Sequence, residues 1–110
     1  MNARLVAALA AASFSMVYTA ARADVAAGQA KAKQVCASCH GEKGDKPLQP
    51  EYPVLAGQYR DYLYKALRDY KTGARKNPIM SGMAKPLSSK EMQDLAEWFS
   101  SQEGPLYVKR

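Results

Sequence analysis

The residues best suited to chemistry are two cysteines and a histidine in the segment Cys36-Ala37-Ser38-Cys39-His40. Two thiols separated by two residues and followed at once by histidine are typical of c-type haem attachment. Each reduced thiol adds across one haem vinyl group, and the two-residue gap lets one helical turn present both sulfurs to one edge of the porphyrin. His40 then lies beneath the iron as proximal ligand. The segment therefore predicts covalent haem, bound by Cys36, Cys39 and His40.

Three other interpretations explain these residues less well. A structural zinc site needs four nitrogen or sulfur ligands, whereas the chain contains two cysteines and one histidine. A thioredoxin-type redox pair needs a strand–helix–strand context, which the sequence does not show, and it leaves His40 unexplained. A disulfide across two residues would be strained. Covalent haem is the interpretation that uses all three side chains.

The first 23 residues have the features of a secretory signal peptide. Arg4 lies in a short positive leader, an apolar run extends from residue 5 to about 18, and Ala21-Arg22-Ala23 is a small-x-small cleavage site. We expect cleavage after Ala23, which leaves residues 24–110 as the mature domain. The alternative is an uncleaved anchor, but the run is shorter than the ~20 residues that span a bilayer. Export to the periplasm agrees with haem attachment, which bacteria complete outside the cytoplasm.

Size and charge limit the function of the mature chain. Removal of residues 1–23 takes away two arginines and no acid, so the net charge falls from +6 to +4. Such a mildly basic domain gives little support to nucleic-acid binding, which needs clustered Lys and Arg with interleaved aromatics. The 87 residues that remain bury a marginal core, which a covalently held haem would stabilise.

Three helical segments are predicted, without strand alternation or an internal repeat, so the fold class is all-α. Residues 24–35 are rich in alanine and begin with an acidic N-cap. Residues 58–71 carry tyrosines and leucines at intervals of three and four, which indicates an amphipathic helix. We expect this stripe to face the core, with one hydroxyl available to a haem propionate. The last helix begins after Ser88 or Ser89 and ends at Gly104-Pro105.

Loops are predicted for residues 41–53 and 74–86, which are rich in glycine and proline. The second loop contains Met80 and Met83, and a thioether from either would raise the haem potential into the range of a respiratory carrier. Met80 is favoured as the second axial ligand because Gly82 would let the backbone turn away next to the porphyrin. The alternative is that both methionines only fill the haem pocket.

Four segments resemble those of class I c-type cytochromes: CASCHG at 36–41, YPVLAGQ at 52–58, MSGMAKPLS at 80–88 and LAEWFSSQ at 95–102. The chain is similar to small bacterial cytochromes of the c-553 type and to one half of the dihaem cytochrome c4 group, over nearly all of its mature length. With one Cys-x-x-Cys-His motif, the resemblance implies a single haem c.

The resemblance also implies a class I cytochrome c fold, in which three main helices and their loops surround the haem. Pro53 matches the proline whose carbonyl accepts a hydrogen bond from the proximal imidazole, and Met80 matches the distal methionine. Gly28 matches the glycine at a close crossing of the first and last helices, where Leu95 and Trp98 pack. Ala32 stands where many members of the family have a larger residue, and Trp98 would fill that space.

An iron with both axial positions taken by protein has no site for substrate, so the predicted function is electron transfer in a periplasmic respiratory chain, without enzyme activity. Its partners would be redox donors and acceptors such as a quinol-oxidising complex, a terminal oxidase or a dehydrogenase. We expect no nucleic acid, membrane contact only through partners, and a monomer or weak dimer. Six lysines would steer acidic partners, unless they are only solvated: Lys31, Lys33, Lys43, Lys46, Lys85 and Lys90.

Two other functions stay open on the sequence. The chain could be a haem enzyme or gas sensor in which the methionine leaves the iron and a small ligand binds. It could also be a fixed electron-transfer subunit of a dehydrogenase or oxidase complex.

Overall fold

The computed structural model describes residues 8, 10–17 and 22–106, and in these residues the chain is helical without strands. The five helices of this part of the chain are α1 (Val25–Val35), α2 (Ala37–His40), α3 (Arg60–Thr72), α4 (Pro78–Ala84) and α5 (Ser89–Ser100). The three longest, α1, α3 and α5, fall on the three predicted segments, and the all-α class is confirmed. No helix in the described ranges is long and apolar enough to cross a bilayer.

Much of the predicted signal peptide, including Arg4 and Ala21, lies outside the described residues. The structure therefore leaves the predicted cleavage after Ala23 as a prediction. The first helix begins after Asp24, whose side chain caps α1 by accepting hydrogen bonds from the N–H groups of Ala26 and Ala27.

The crossing of α1 and α5 is the main helix contact of the fold. A Cβ at Gly28 would lie 2.0 Å from the carbonyl oxygen of Asp94 and 3.0 Å from Trp98 Cβ, so only glycine permits this approach. Leu95 and Ala32 are fully buried in the core that surrounds the crossing. The small side chain of Ala32 is therefore shielded from solvent, and Trp98 belongs to the same core cluster.

The N-terminus of α5 carries a capping box. Ser88 Oγ accepts from Glu91 N–H, and the Glu91 carboxylate accepts from Ser88 N–H, both at 3.1 Å. Ser88 is therefore the cap. Lys31 of α1 lies 2.5 Å from the same carboxylate, and its hydrogen bond, followed by that of Ser88 N–H, lowers the pKa of Glu91 below its usual value. The N-terminal cap of α5 is thus connected to α1 by a salt bridge.

The tyrosine stripe of α3 only partly faces the core. Leu63 is buried and Tyr64 packs against the core cluster, but Tyr59 and Tyr62 are half exposed. The expectation that most of the stripe packs in the core therefore holds for Leu63 and Leu67 and is wrong for Tyr59 and Tyr62. The contacts of α3 with α5 and α4 leave about half of each of these two side chains exposed.

The predicted loop at residues 74–86 contains a helix, α4. Asn77 Oδ1 accepts from the N–H groups of Ile79 and Met80, each at 3.0 Å, and Pro78 occupies the first helical position, where its missing N–H costs nothing. Gly82 consequently lies inside a helix, and the expected backbone turn at that residue is wrong.

Replacement of Gly28 by alanine should lower the free energy of unfolding by about 1–3 kcal/mol, the usual cost of overpacking a filled core. The new methyl group would overlap the Asp94 carbonyl, so one helix must shift. Guanidinium unfolding followed by circular dichroism measures the change. The control is Gln29→Ala, at the exposed neighbouring position, where we expect less than about 0.5 kcal/mol. A Gly28→Ala protein as stable as the wild type would contradict the close crossing.

The Lys31–Glu91 contact should make stability depend on pH. Because the pKa of Glu91 is lower in the folded protein, the ionised carboxylate adds stability above its unfolded pKa, near 4.5, and loses it as the pH falls through the folded value. The difference in thermal midpoint between wild type and Glu91→Gln should therefore narrow as the pH is lowered from about 7 to below about 4. Glu51→Gln, in an exposed loop, is the control. A difference that stays constant over this range would refute the prediction.

Candidate haem site

One helical turn presents the two cysteines and the histidine. Cys36 stands at the C-cap of α1 and at the N-cap of α2, and its carbonyl accepts from the N–H groups of Cys39 and His40 at 3.2 and 3.0 Å. Both cysteines are free thiols and half-buried. The structure thus brings together the three side chains that the sequence singled out, on the single turn that was predicted.

The His40 ring is held by a backbone carbonyl. The side chain is 6% exposed, and its Nδ1 lies 2.9 Å from Pro53 O. Because a carbonyl oxygen can only accept, Nδ1 must donate, which leaves Nε2 as the nitrogen with the free lone pair in the neutral ring. This is the arrangement that fixes the tautomer and orientation of a metal-ligating histidine.

Hydrogen bonds hold the loop that carries Pro53 at two points. Leu48 N–H donates to Cys39 O at 2.9 Å, which ties the loop to the cysteine turn. Trp98 Nε1–H of α5 donates to Glu42 O at 3.2 Å. The acceptor for His40 is therefore positioned by contacts with both the haem motif and the last helix.

The electrostatics of Cys36 do not suit a redox-active thiol. Burial, then the neighbouring Cys39, raises the pKa of Cys36 to about 11, against a smaller opposite effect of Lys31. Reactive thiols of the thioredoxin type have lowered pKa values, since the thiolate is the nucleophile. The folded chain keeps Cys36 as a neutral thiol at neutral pH, which disfavours that alternative.

The two candidate methionines occupy different environments on α4. Met80 is half-buried, and its N–H is held by the Asn77 cap. Met83 is 48% exposed and shares the outer side of the helix with the exposed Ile79, one turn earlier.

Both ends of α4 are tied to α3. Lys71 Nζ donates to the carbonyl of Leu87, just after α4. Before α4, Arg75 donates to Tyr62 Oη at 3.2 Å and lies 4.9 Å from the centre of the Tyr70 ring. These contacts restrain the segment that carries both methionines. Sequence reasoning missed this helix and its Asn77 cap, although asparagine followed by proline is a helix-start signal.

The donor set fits a covalently bound haem. Two free thiols and an imidazole with an available Nε2 lie on one turn, and α4 carries a soft thioether that is half-buried. In residues 8, 10–17 and 22–106, no group of three or more His, Cys, Asp or Glu side chains could hold a metal ion. The described part of the chain therefore offers no support for a zinc site.

The family model for cytochrome c matches residues 25–103, and the chain belongs to the cytochrome c family. Its fold is that of the class I cytochromes c. The family binds haem c covalently, and Cys36 and Cys39 fit its Cys-x-x-Cys-His motif. The cofactor is therefore haem c with its iron, as the sequence predicted.

The chain is similar to cytochrome c4 of Stutzerimonas stutzeri, with 44% identity over 76% of this chain and 43% of that protein. It is 42% identical to the thiosulfate dehydrogenase electron acceptor of Thiomonas intermedia (strain K12), over 84% of this chain and 42% of that one. The crystal structure of reduced recombinant cytochrome c4 from Pseudomonas stutzeri matches with a TM-score of 0.69 and 42% identity, over 76% of this chain and 48% of that one. The chain thus spans less than half the length of these relatives.

Proposed function

We propose that this protein is a periplasmic one-electron carrier of a respiratory chain, built on one haem c and without enzyme activity. The observation that carries the proposal is the single turn that presents two thiols and an imidazole whose Nδ1 is bonded to Pro53 O. That combination would leave Nε2 of His40 free to bind the haem iron and both sulfurs free for covalent attachment.

Each site residue has a separate task. Cys36 and Cys39 would bind the cofactor through thioether bonds, His40 would bind the iron through Nε2, and Met80 would supply a second ligand through its sulfur. Pro53 orients the His40 ring and makes it more basic. When bound, haem c supplies a one-electron Fe(III)/Fe(II) couple. With His40 and Met80 both bound to the iron, the protein would leave no open position for a substrate at the metal.

Met80 is preferred to Met83 on two grounds from the structure. Its side chain is less exposed than that of Met83. Its backbone is also fixed by the Asn77 cap, whereas Met83 lies on the outer side of α4. Gly82 lies within α4, so a backbone turn at that residue does not distinguish the two methionines.

Export and cleavage complete the proposal. Residues 1–23 act as a signal peptide, and cleavage after Ala23 releases a domain that starts at Asp24. The position of Asp24 as the N-cap of α1 supports this boundary, since the ordered domain needs no earlier residue for its first helix.

Docking of acidic partners depends on part of the lysine set. Lys31 and Lys90 are engaged with Glu91 and Asp94, so their charges are balanced locally. The exposed lysines are better suited to steering a partner towards the haem edge: Lys33, Lys43, Lys46 and Lys85.

A second candidate function is that of a dedicated electron acceptor for one dehydrogenase. The relative in Thiomonas intermedia carries the name thiosulfate dehydrogenase electron acceptor. If this chain serves a single enzyme in the same way, it should co-purify with a larger dehydrogenase from its native periplasm. Isolation as a free carrier would favour the first proposal.

Replacement of Met80 by alanine should abolish the methionine–iron charge-transfer band of the ferric protein, because the thioether is removed from the iron. Absorption spectroscopy of the purified holoprotein measures this band. Met83→Ala is the matched control on the same helix and should keep the band. Survival of the band in Met80→Ala, with loss in Met83→Ala, would reverse the ligand assignment.

Raised ionic strength should slow electron transfer to an acidic redox partner, because salt screens the lysine charges. Stopped-flow measurement of the bimolecular rate gives the salt dependence. Lys85→Met should flatten it, whereas Lys65→Met, which removes a lysine paired with Asp69 on α3, should leave it nearly unchanged. A wild-type rate independent of salt would show that the lysines are only solvated.

A further inference from the structure

A buried carboxylate at the α1–α5 crossing has no part in the proposed electron-transfer site. Asp94 is 4% exposed. Its Oδ1 accepts from Lys90 Nζ at 2.6 Å and from the backbone N–H of Asp24 at 2.8 Å, seventy positions away. A carboxylate with so little contact with water needs positive charge and good hydrogen bonds to remain ionised.

The group that Asp94 contacts is the one that signal-peptide cleavage would change. In the precursor, the nitrogen of Asp24 belongs to the peptide bond with Ala23. Hydrolysis of that bond by a signal peptidase consumes one water, leaves a carboxylate on Ala23 and places an amino group on Asp24. An α-amino group has a pKa of about 7.7–8.0 and is mostly protonated at neutral pH. The neutral donor seen at 2.8 Å would become a cation.

We infer that the α-ammonium group created at Asp24 by cleavage after Ala23 pairs with the buried carboxylate of Asp94 and thereby locks α1 onto α5 in the mature protein. The inference rests on the proposed cleavage site. Cleavage therefore does more than release the chain from its leader, because it also completes a contact in the core of the exported domain.

The local charges favour this pair. Before cleavage, Lys90 supplies the ammonium group in contact with the Asp94 carboxylate, and the Asp24 carboxylate accepts from the backbone N–H groups of Ala26 and Ala27. The new ammonium group adds a positive charge next to Asp94. Hydrogen bonds between charged partners are about twice as strong as neutral ones. The dipole of α1 opposes a cation at its N-terminus, but the Asp24 side chain at the same position offsets this effect.

Other charged groups lie around this pair. On the α1–α5 side, Lys31 is paired with Glu91, and Lys33 lines the same groove as Asp94. On the side of α3, residues 22–23 line a groove of about 550 Å³ together with Arg60, Asp61 and Glu97, where Arg60 contacts both acids. Asp94 is thus the carboxylate directly in contact with the Asp24 nitrogen.

The test uses the holoprotein in two forms, the mature chain that starts at Asp24 and the same chain with two extra alanines before Asp24. The extension moves the ammonium group away and restores an amide at Asp24. We expect it to lower the folding equilibrium constant about fivefold to tenfold, because a hydrogen bond between two charged groups is replaced by one from a neutral amide. In the Asp94→Asn background the same extension should change the constant by less than about twofold.

A second measurement separates this pair from a general effect on packing. NMR titration of the mature protein should give an Asp24 α-amino pKa above the usual 7.7–8.0, because the charged form is favoured by Asp94. A group whose pKa is raised on folding adds stability below its unfolded pKa and loses it as the pH rises through the folded value. The advantage of the mature form over the extended form should therefore disappear at alkaline pH.

Mass spectrometry of the exported protein distinguishes failure of the proposed cleavage site from failure of the Asp24–Asp94 pair. A mass that shows cleavage elsewhere would overturn the proposed signal peptide, and this inference with it. Cleavage after Ala23, combined with an unshifted α-amino pKa or an extension without effect, would overturn the inference alone. If Asp94→Asn does not fold, the α-amino pKa of the wild type decides by itself.

Discussion

The approach of α1 to α5 at Gly28 is the contact on which the rest of the structure depends. With a would-be Cβ only 2.0 Å from the Asp94 carbonyl, the two helices meet backbone to backbone, and no other residue type fits. Every further link between them relies on this distance. The Lys31–Glu91 pair, the hydrogen bond from Asp24 N–H to Asp94 and the burial of Ala32 all require the same crossing.

The crossing of α1 and α5 positions the residues of the candidate haem site. α1 leads directly into the turn that holds Cys36, Cys39 and His40, so the first helix fixes where that turn begins. From the other helix, Trp98 holds the loop that leads to Pro53 through the carbonyl of Glu42. The proximal side of the site is thus built from both partners of one helix pair, whereas α4 with Met80 is attached separately through α3.

Much of this architecture could be predicted from the sequence, because the signals involved are local. The spacing of Cys36, Cys39 and His40 identifies the cofactor without any tertiary information, and the capping box at Ser88 marks the start of α5. The family resemblance placed Pro53 and Gly28 where the structure shows contacts with His40 and with α5.

What the sequence could not provide are features without a local pattern. α4 is only seven residues long, which is too short for a helical repeat of apolar residues to be recognised. Its proline and glycine are also residues that are typical of loops. Tyr62 belongs to the apolar stripe of α3 but is half exposed. The sequence shows how wide such a stripe is, but not which part of it other elements cover. Asp94 is a charged residue, normally exposed, and its partner at Asp24 is distant in the chain.

The shared position of Cys36, at the end of α1 and the start of α2, has a consequence for the order of biogenesis. A chain is synthesised from its N-terminus, so both thiols and His40 are made before α5. In the closed domain, burial raises the pKa of Cys36 to about 11, and a neutral thiol is a poor nucleophile. The thiol of Cys36 should therefore react more readily with a haem vinyl group while the chain is still open than after α1 and α5 have packed together.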